Sequence, residues 1–382
     1  MKIPFLDLKQ VNAPYMEALK GAATAVVESG WYIRGSYCER FEKEFAAYCG
    51  YAHGVGVGNG LDALTLMLRA SIELGRLAPG DEILVPANTY IATVLAVNAA
   101  GLVPVLVEPD EKTFDIDSTK LEAACSAKTR GILAVNLYGR LADMKAIGNF
   151  AKARGLLVFE DAAQSHGARG AKSAAAAMKS AAVAYSFYPT KNLGALGDAG
   201  MVVTDDAELA RVVRMLGNYG SEQKYVNRYR GVNSRLDEIQ AAFLLATLPH
   251  LGAWNARRRE IAARYCREVK NPLLRLPEIP VNPEEHVWHV FTLRTPDTKT
   301  RDALQKHLES RGIGTLIFYP IPPHRQAAYA DAPEGTLLPA DRLAKFPIAE
   351  SMAETVISIP VSQVLTDAQV TEIIGALNEF VC

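Results

Sequence analysis

The chain has 382 residues, 49% of them hydrophobic and 22% charged, ordinary globular values that leave room for a large α/β unit with a smaller companion. Its 41 basic and 42 acidic residues give a formal net charge of -1, no footing for nucleic acid or an anionic membrane surface as partner. Five scattered cysteines form no C-x-x-C pair, no histidines fall at zinc spacing, and no apolar run approaches the ~20 residues of a membrane span, so no metal centre and no membrane are expected. The opening MKIPFLDLKQ lacks the apolar stretch of a signal peptide, and a cytoplasmic protein with reduced thiols is expected.

Between about residues 50 and 205 short apolar runs alternate with helical patterns, which predicts βα units on a mostly parallel sheet. The predicted strands are 54–57, 82–85, 103–107, 132–136, 156–160, 183–187 and 200–204. The alanine-rich stretch 171–182 (AKSAAAAMKSAA) stands out between two of them. A long helical pattern over about 235–269 is broken at Pro249, and the proline-rich NPLLRLPEIPVNP that follows reads as a domain crossing. Beyond it VWHVFTLR and VISIPV read as strands, with a helix over 301–312 between them. The fold class expected is therefore α/β, with a large domain over 1–250 that includes the N-terminal segment. A smaller α+β domain over 251–382 completes it.

Three segments carry chemistry. In GVGVGNGLDAL (54–64) a strand runs through a glycine turn into a helix that opens near Asn59 or Gly60. Unpaired N–H groups and the positive dipole end of such a helix suit a phosphate. The segment lacks the third glycine of a dinucleotide fingerprint, and a plain strand-to-helix connection is the blander reading. In FEDAAQSHGA (159–168) an aspartate ends a buried apolar strand, where open α/β sheets bind ligands. Buried there, Asp161 needs a cationic or hydrogen-bonding partner; a protonated pyridine nitrogen is one, and a helix N-cap role is the alternative. In YSFYPTKNLGALGDAG (185–200) a strand ends at Ser186 and a turn presents Lys191 amid glycines. A pocket lysine with a lowered pKa forms Schiff bases with carbonyls.

In this order and spacing the segments resemble the nucleotide-sugar aminotransferases of the DegT/StrS type, a branch of the fold-type I pyridoxal-phosphate (PLP) enzymes. The resemblance runs from PFLDLKQ and SGWYIRGSYCERFEKEFAAYCG through PANTYIAT (86–93) to NYGSEQKYVNRYRGVNSRLDEIQAA (218–242) and GIGTLIFYPIPPH (312–324). It implies PLP held on Lys191, with pyridoxamine phosphate as the alternate form. Asp161 would face the pyridine nitrogen and Gln164 the ring hydroxyl. Gly60, Leu61 and Ser186 would bind the phosphate, with Tyr90 against the ring face. Asn233 would reach the neighbouring subunit's cofactor, which implies a homodimer with shared active sites. Tyr188, His166, Tyr319 and His324 would line the sugar site. Substrates would be glutamate and a nucleotide-linked keto sugar.

The wording of NGLDAL, NSRLDE and YPIPPH most resembles enzymes that aminate C3 of dTDP-linked 3-keto-6-deoxyhexoses for surface polysaccharides such as O-antigen. A 4-aminotransferase on a UDP-linked 4-keto sugar is the runner-up, and a PLP-binding regulator without turnover is a third reading. Two departures stand out. Phe318 occupies a position where relatives often carry histidine, and the alanine-rich 171–182 stands where they are glycine-rich.

Overall fold

The computed structural model describes residues 2–170, 181–330 and 346–381. Seven strands form one sheet in the order β1-β7-β6-β5-β4-β2-β3, with β1 His53–Val57, β2 Glu82–Pro86, β3 Val103–Val107, β4 Thr129–Val135, β5 Leu157–Asp161, β6 Ala182–Ser186 and β7 Gly200–Thr204. All seven predicted strands are present with ends shifted by three residues or fewer. β7 runs antiparallel to both β1 and β6, and every other pairing is parallel. Every residue of β2 is buried, as expected for a strand covered on both faces. Each Leu, Ile or Val fully buried beside it contributes roughly 1.5–3 kcal/mol.

The long helical stretch divides into Glu238–Thr247 and Leu251–Glu268, joined by a 3-10 turn at Leu248–His250. Proline lacks the N–H that a continuous helix would need at position 249. Helix Leu251–Glu268 serves two cores: Leu251 packs beneath the seven-stranded sheet, whereas Ile261, Ala262 and Tyr265 join a second core around β10 (Phe291–Arg294) and β11 (Val356–Ile359). Ile3 also lies in that second core, and its backbone bonds Gly312 O and Gly314 N at 2.8 Å each. The expected division at 250/251 thus falls at the start of a helix common to both cores, and the N-terminal residues reach the later one. VWHVFTLR is strand only over Phe291–Arg294; Trp288, at a φ of +49°, interrupts the extended run before it. The helix expected over 301–312 spans Thr298–Ser310, because Asp297 caps it by accepting from Thr300 N–H at 2.7 Å.

Strand register positions the site. Val135 lies opposite Asp161, Asp161 opposite Ala184, and Gly200 opposite both Ser186 and Val57. The carboxyl ends of β4, β5 and β6 therefore line up, and the helix following β1 opens at the same edge. Ligands of open α/β sheets gather along such an edge.

Candidate active site

Asp161, the last residue of β5, is 6% exposed. Its Oδ2 accepts from Thr93 Oγ1 (2.8 Å) and its Oδ1 from Ala163 N–H (3.1 Å). Burial raises its pKa, while these two bonds and the nearby Lys191 ammonium pull it down. The carboxylate has no ion-pair partner among the described residues, so a cation is what would relieve it.

Lys191 sits in a tight turn, its N–H bonded to Tyr188 O at 2.8 Å. A Cβ at Gly194 would strike the Pro189 carbonyl, so only glycine lets the chain double back there. The next residue, Asn192, anchors the turn. Its Nδ2 donates to Asn255 Oδ1 (2.9 Å) and Val287 O (3.0 Å), and its Oδ1 meets His289 Nδ1 at 3.1 Å. Desolvation lowers the Lys191 pKa to about 8, against the opposing pull of Asp161. The neutral, nucleophilic amine is thereby accessible near pH 7.

Gln164 is fixed at both ends. Its Oε1 accepts from Tyr138 N–H (2.6 Å), and its Nε2 donates to the Tyr319 hydroxyl (3.0 Å). Tyr138 has a φ of +60°, uncommon for a bulky residue, and its hydroxyl donates to Phe318 O. Tyr319 in turn lies beside Tyr90, ring centroids 5.1 Å apart at 32°. Segment 318–319 is thus tied to the loops that follow β4 and β5.

At the start of helix Gly60–Glu73, Asn59 accepts from Asp62 N–H at 2.9 Å, which satisfies one free donor of the first turn and leaves those of Gly60 and Leu61. A Cβ at Gly60 would stand 2.5 Å from Ser186 Cβ. Glycine therefore brings a helix N-terminus against the Ser186 hydroxyl, a cradle suited to phosphate. Tyr90 and Tyr188 are half exposed, at 53% and 51%.

The structure does not bring every expected residue to this edge. His166 is fully buried among the rings of Phe45, Tyr185 and Phe187, neither ring nitrogen meets a hydrogen-bond partner among the described residues, and burial pushes its pKa to about 3. The expectation that it lines the sugar site is corrected: it is a neutral ring enclosed in the core behind Lys191. His324 gives its Nε2 to Glu350 Oε1 (3.0 Å) and its Nδ1 is buried, so this ring offers a sugar no free nitrogen. Asn233 is exposed in an isolated bridge with Asn218. Phe318 packs on Phe5, ring centroids 5.9 Å apart, which makes the position apolar. Residues 171–180 of the alanine-rich stretch lie outside the described residues. Sequence reasoning missed Thr93, Tyr138, Asn192, Asn255 and His289. Two of these carried a signal: Thr93 follows Tyr90 by one helical turn, and Asn192 adjoins the lysine.

The model of the DegT/DnrJ/EryC1/StrS aminotransferase family matches residues 15–378. The chain belongs to this family. A relative from Aneurinibacillus thermoaerophilus, dTDP-3-amino-3,6-dideoxy-alpha-D-galactopyranose transaminase, is 47% identical, covering 99% of both chains. A second from Streptomyces venezuelae, dTDP-3-amino-3,4,6-trideoxy-alpha-D-glucose transaminase, is 47% identical over 99% of this chain and 96% of its own. The crystal structure of S. venezuelae DesV with a ketimine intermediate superposes with a TM-score of 0.89 at 46% identity, covering 99% of this chain and 98% of that one. The protein is accordingly a PLP-dependent aminotransferase with the fold-type I architecture. The residues present fit that cofactor: a buried carboxylate in no salt bridge among the described residues, an amine of lowered pKa, and a helix N-terminus packed on a serine hydroxyl.

Proposed function

We propose that the protein transfers an amino group from glutamate to C3 of a dTDP-linked 3-keto-6-deoxyhexose, in the synthesis of an amino sugar for a surface polysaccharide. One observation carries this reading: near-full-length 47% identity to two transaminases, both named for a 3-amino dTDP sugar. Bound PLP supplies an electron sink as long as its ring nitrogen stays protonated. Asp161 would hold that proton, Gln164 would meet the ring hydroxyl, Tyr90 would cover the ring, and Gly60, Leu61 and Ser186 would hold the phosphate. Lys191 Nζ takes the proton from the donor's α-carbon in one half of the cycle. In the other half it gives a proton to the sugar carbon that receives the amine. A pKa of about 8 suits an amine that must do both near neutral pH. Tyr188 and Tyr319 stand at the sugar side. No helix among the described residues is long and apolar enough to cross a membrane.

The test is incubation with glutamate and a panel of dTDP- and UDP-linked keto sugars, with products read by mass and carbon–proton correlation. The new amine is expected at C3 of the dTDP-3-keto sugar. An amine at C4, or reaction with UDP-4-keto sugars alone, would contradict the C3 reading and leave the aminotransferase in place.

The same reading makes the enzyme a homodimer with Asn233 acting on the partner's cofactor. Trp31 (64% exposed), Tyr225 (87%) and Val226 (54%) are large apolar side chains for which a second copy would provide cover. Mixing inactive Lys191→Ala with an inactive Asn233→Ala variant should restore up to roughly a quarter of wild-type activity, because each mixed dimer holds one lesion-free site. No recovery despite demonstrated subunit exchange would place Asn233 outside any shared site.

A further inference from the structure

A cavity of about 360 Å³ adjoins the turn that carries Lys191, where the N-terminal segment meets the second core. Its wall is mostly apolar, from Phe5, Leu6, Leu316 and Phe318, with hydroxyls from Thr190 and Ser362. The cation in that wall is Arg258, which helix Leu251–Glu268 projects from between the two cores and which is only 3% exposed. Its Nη1 donates to the carbonyls of Trp288 (3.1 Å), His289 (3.2 Å) and Val361 (3.2 Å). These bonds fix the head group but bring no negative charge. Nε is buried without a partner, and Nη2 makes no bond among the described residues. Desolvation alone lowers the Arg258 pKa, to about 10, with no carboxylate opposing it; the group remains charged at neutral pH.

A buried cation without a counter-ion is disfavoured unless a ligand supplies the negative charge. Nε has no accessible surface, so Nη2 is the nitrogen this head group has left to donate to a carboxylate in the cavity. Apolar walls suit methylene groups, and Thr190 directly precedes Lys191, so a molecule here has its reactive end near the catalytic amine. A nucleotide diphosphate fits poorly, since one guanidinium cannot offset its charge within an apolar wall.

We propose that this cavity is the amino-donor subsite and that Arg258 binds a carboxylate of a short aliphatic amino dicarboxylate through Nη2. This rests on the aminotransferase reading but not on the choice of sugar.

The probes are L-glutamate, followed in the donor half-reaction by absorbance without any sugar, and glutarate, which has no amino group to react and is followed by calorimetry on the PLP-loaded enzyme. Arg258→Lys keeps a charge and a donor for the backbone carbonyls but loses Nη2, the nitrogen left for the ligand. It should weaken glutarate binding and raise the glutamate concentration for half-maximal rate by about 10- to 100-fold, the size of a charged hydrogen-bonded contact. Attack of the pyridoxamine form on a keto sugar should stay within about twofold of wild type. Leu316→Trp, at a residue that is 45% exposed, should narrow the cavity without touching Arg258 and shift the same two quantities in the same direction. Wild-type glutarate and glutamate affinities in the folded variants would overturn the proposal. Should Arg258→Lys fail to fold, Leu316→Trp and wild-type glutarate binding decide, and absence of glutarate binding overturns it. Failure of the dTDP sugars with an intact glutamate half-reaction would count against the C3 reading alone.

Discussion

Lys191→Ala should retain PLP non-covalently and lose turnover by at least roughly 1,000-fold, the scale of a removed positioned acid–base group. The proposed phosphate cradle at Gly60 and Ser186 and the Asp161 carboxylate are untouched by the change, so affinity for the cofactor should fall without vanishing. Borohydride should fix PLP on the wild-type protein and leave it extractable from the variant. The wild-type amine also sets a pH dependence. With its pKa lowered to about 8, roughly a tenth of Lys191 is neutral at pH 7, against roughly 0.03% for an unperturbed lysine. Lowering a lysine pKa favours the free amine, so capture of PLP by cofactor-free protein should quicken with pH up to about 8 and level off above it. A profile still climbing tenfold per unit at pH 9 would mean that burial does not tune this amine. Substantial transamination by Lys191→Ala would remove Lys191 from the chemistry.

Asp161→Asn should fold and bind PLP, yet slow turnover by roughly 100- to 1,000-fold, the cost of deleting one preorganised charge-stabilising group. The amide is nearly isosteric and can keep the Ala163 and Thr93 contacts, at 3.1 and 2.8 Å. What it cannot do is stabilise a proton on the pyridine nitrogen. The variant's bound-cofactor spectrum should therefore shift with pH in the range where wild type is flat. Near wild-type rates would reduce Asp161 to a cap for the turn that follows β5.

Much of the sheet was legible because each buried strand is a short apolar run between turn residues, which places its ends to within three residues. Asp161 and Ser186 were readable as strand ends for the same reason, since each ends such a run, whereas a phosphate role for Ser186 came from the resemblance alone. The resemblance pointed to Lys191 and Gln164, but not to what holds them. Gln164 is oriented by Tyr138 and Tyr319, residues 26 and 155 positions away, and Asn192 by Asn255 at 63. Such pairings are set by strand order and domain packing, which local pattern does not encode. His166 was misjudged on similar grounds. Two residues after Gln164 on a turn, it was expected to line the sugar site, but its ring lies among those of Phe45 and Phe187. His324 was misjudged because Glu350, 26 residues later, takes its Nε2. Arg258 drew no notice among the neighbouring arginines of WNARRRE, and only burial distinguishes it from them.

The central claim is that this chain carries its PLP on Lys191, and one measurement tests it most directly. The purified PLP-loaded protein is reduced with borohydride and digested, and the pyridoxyl-bearing peptide is sequenced by mass spectrometry. The account predicts a single modified lysine, Lys191, in the segment YSFYPTKNLGALGDAG, with the label absent from Lys191→Ala. A label on any other lysine, or a protein that binds PLP with no reducible bond, would contradict it.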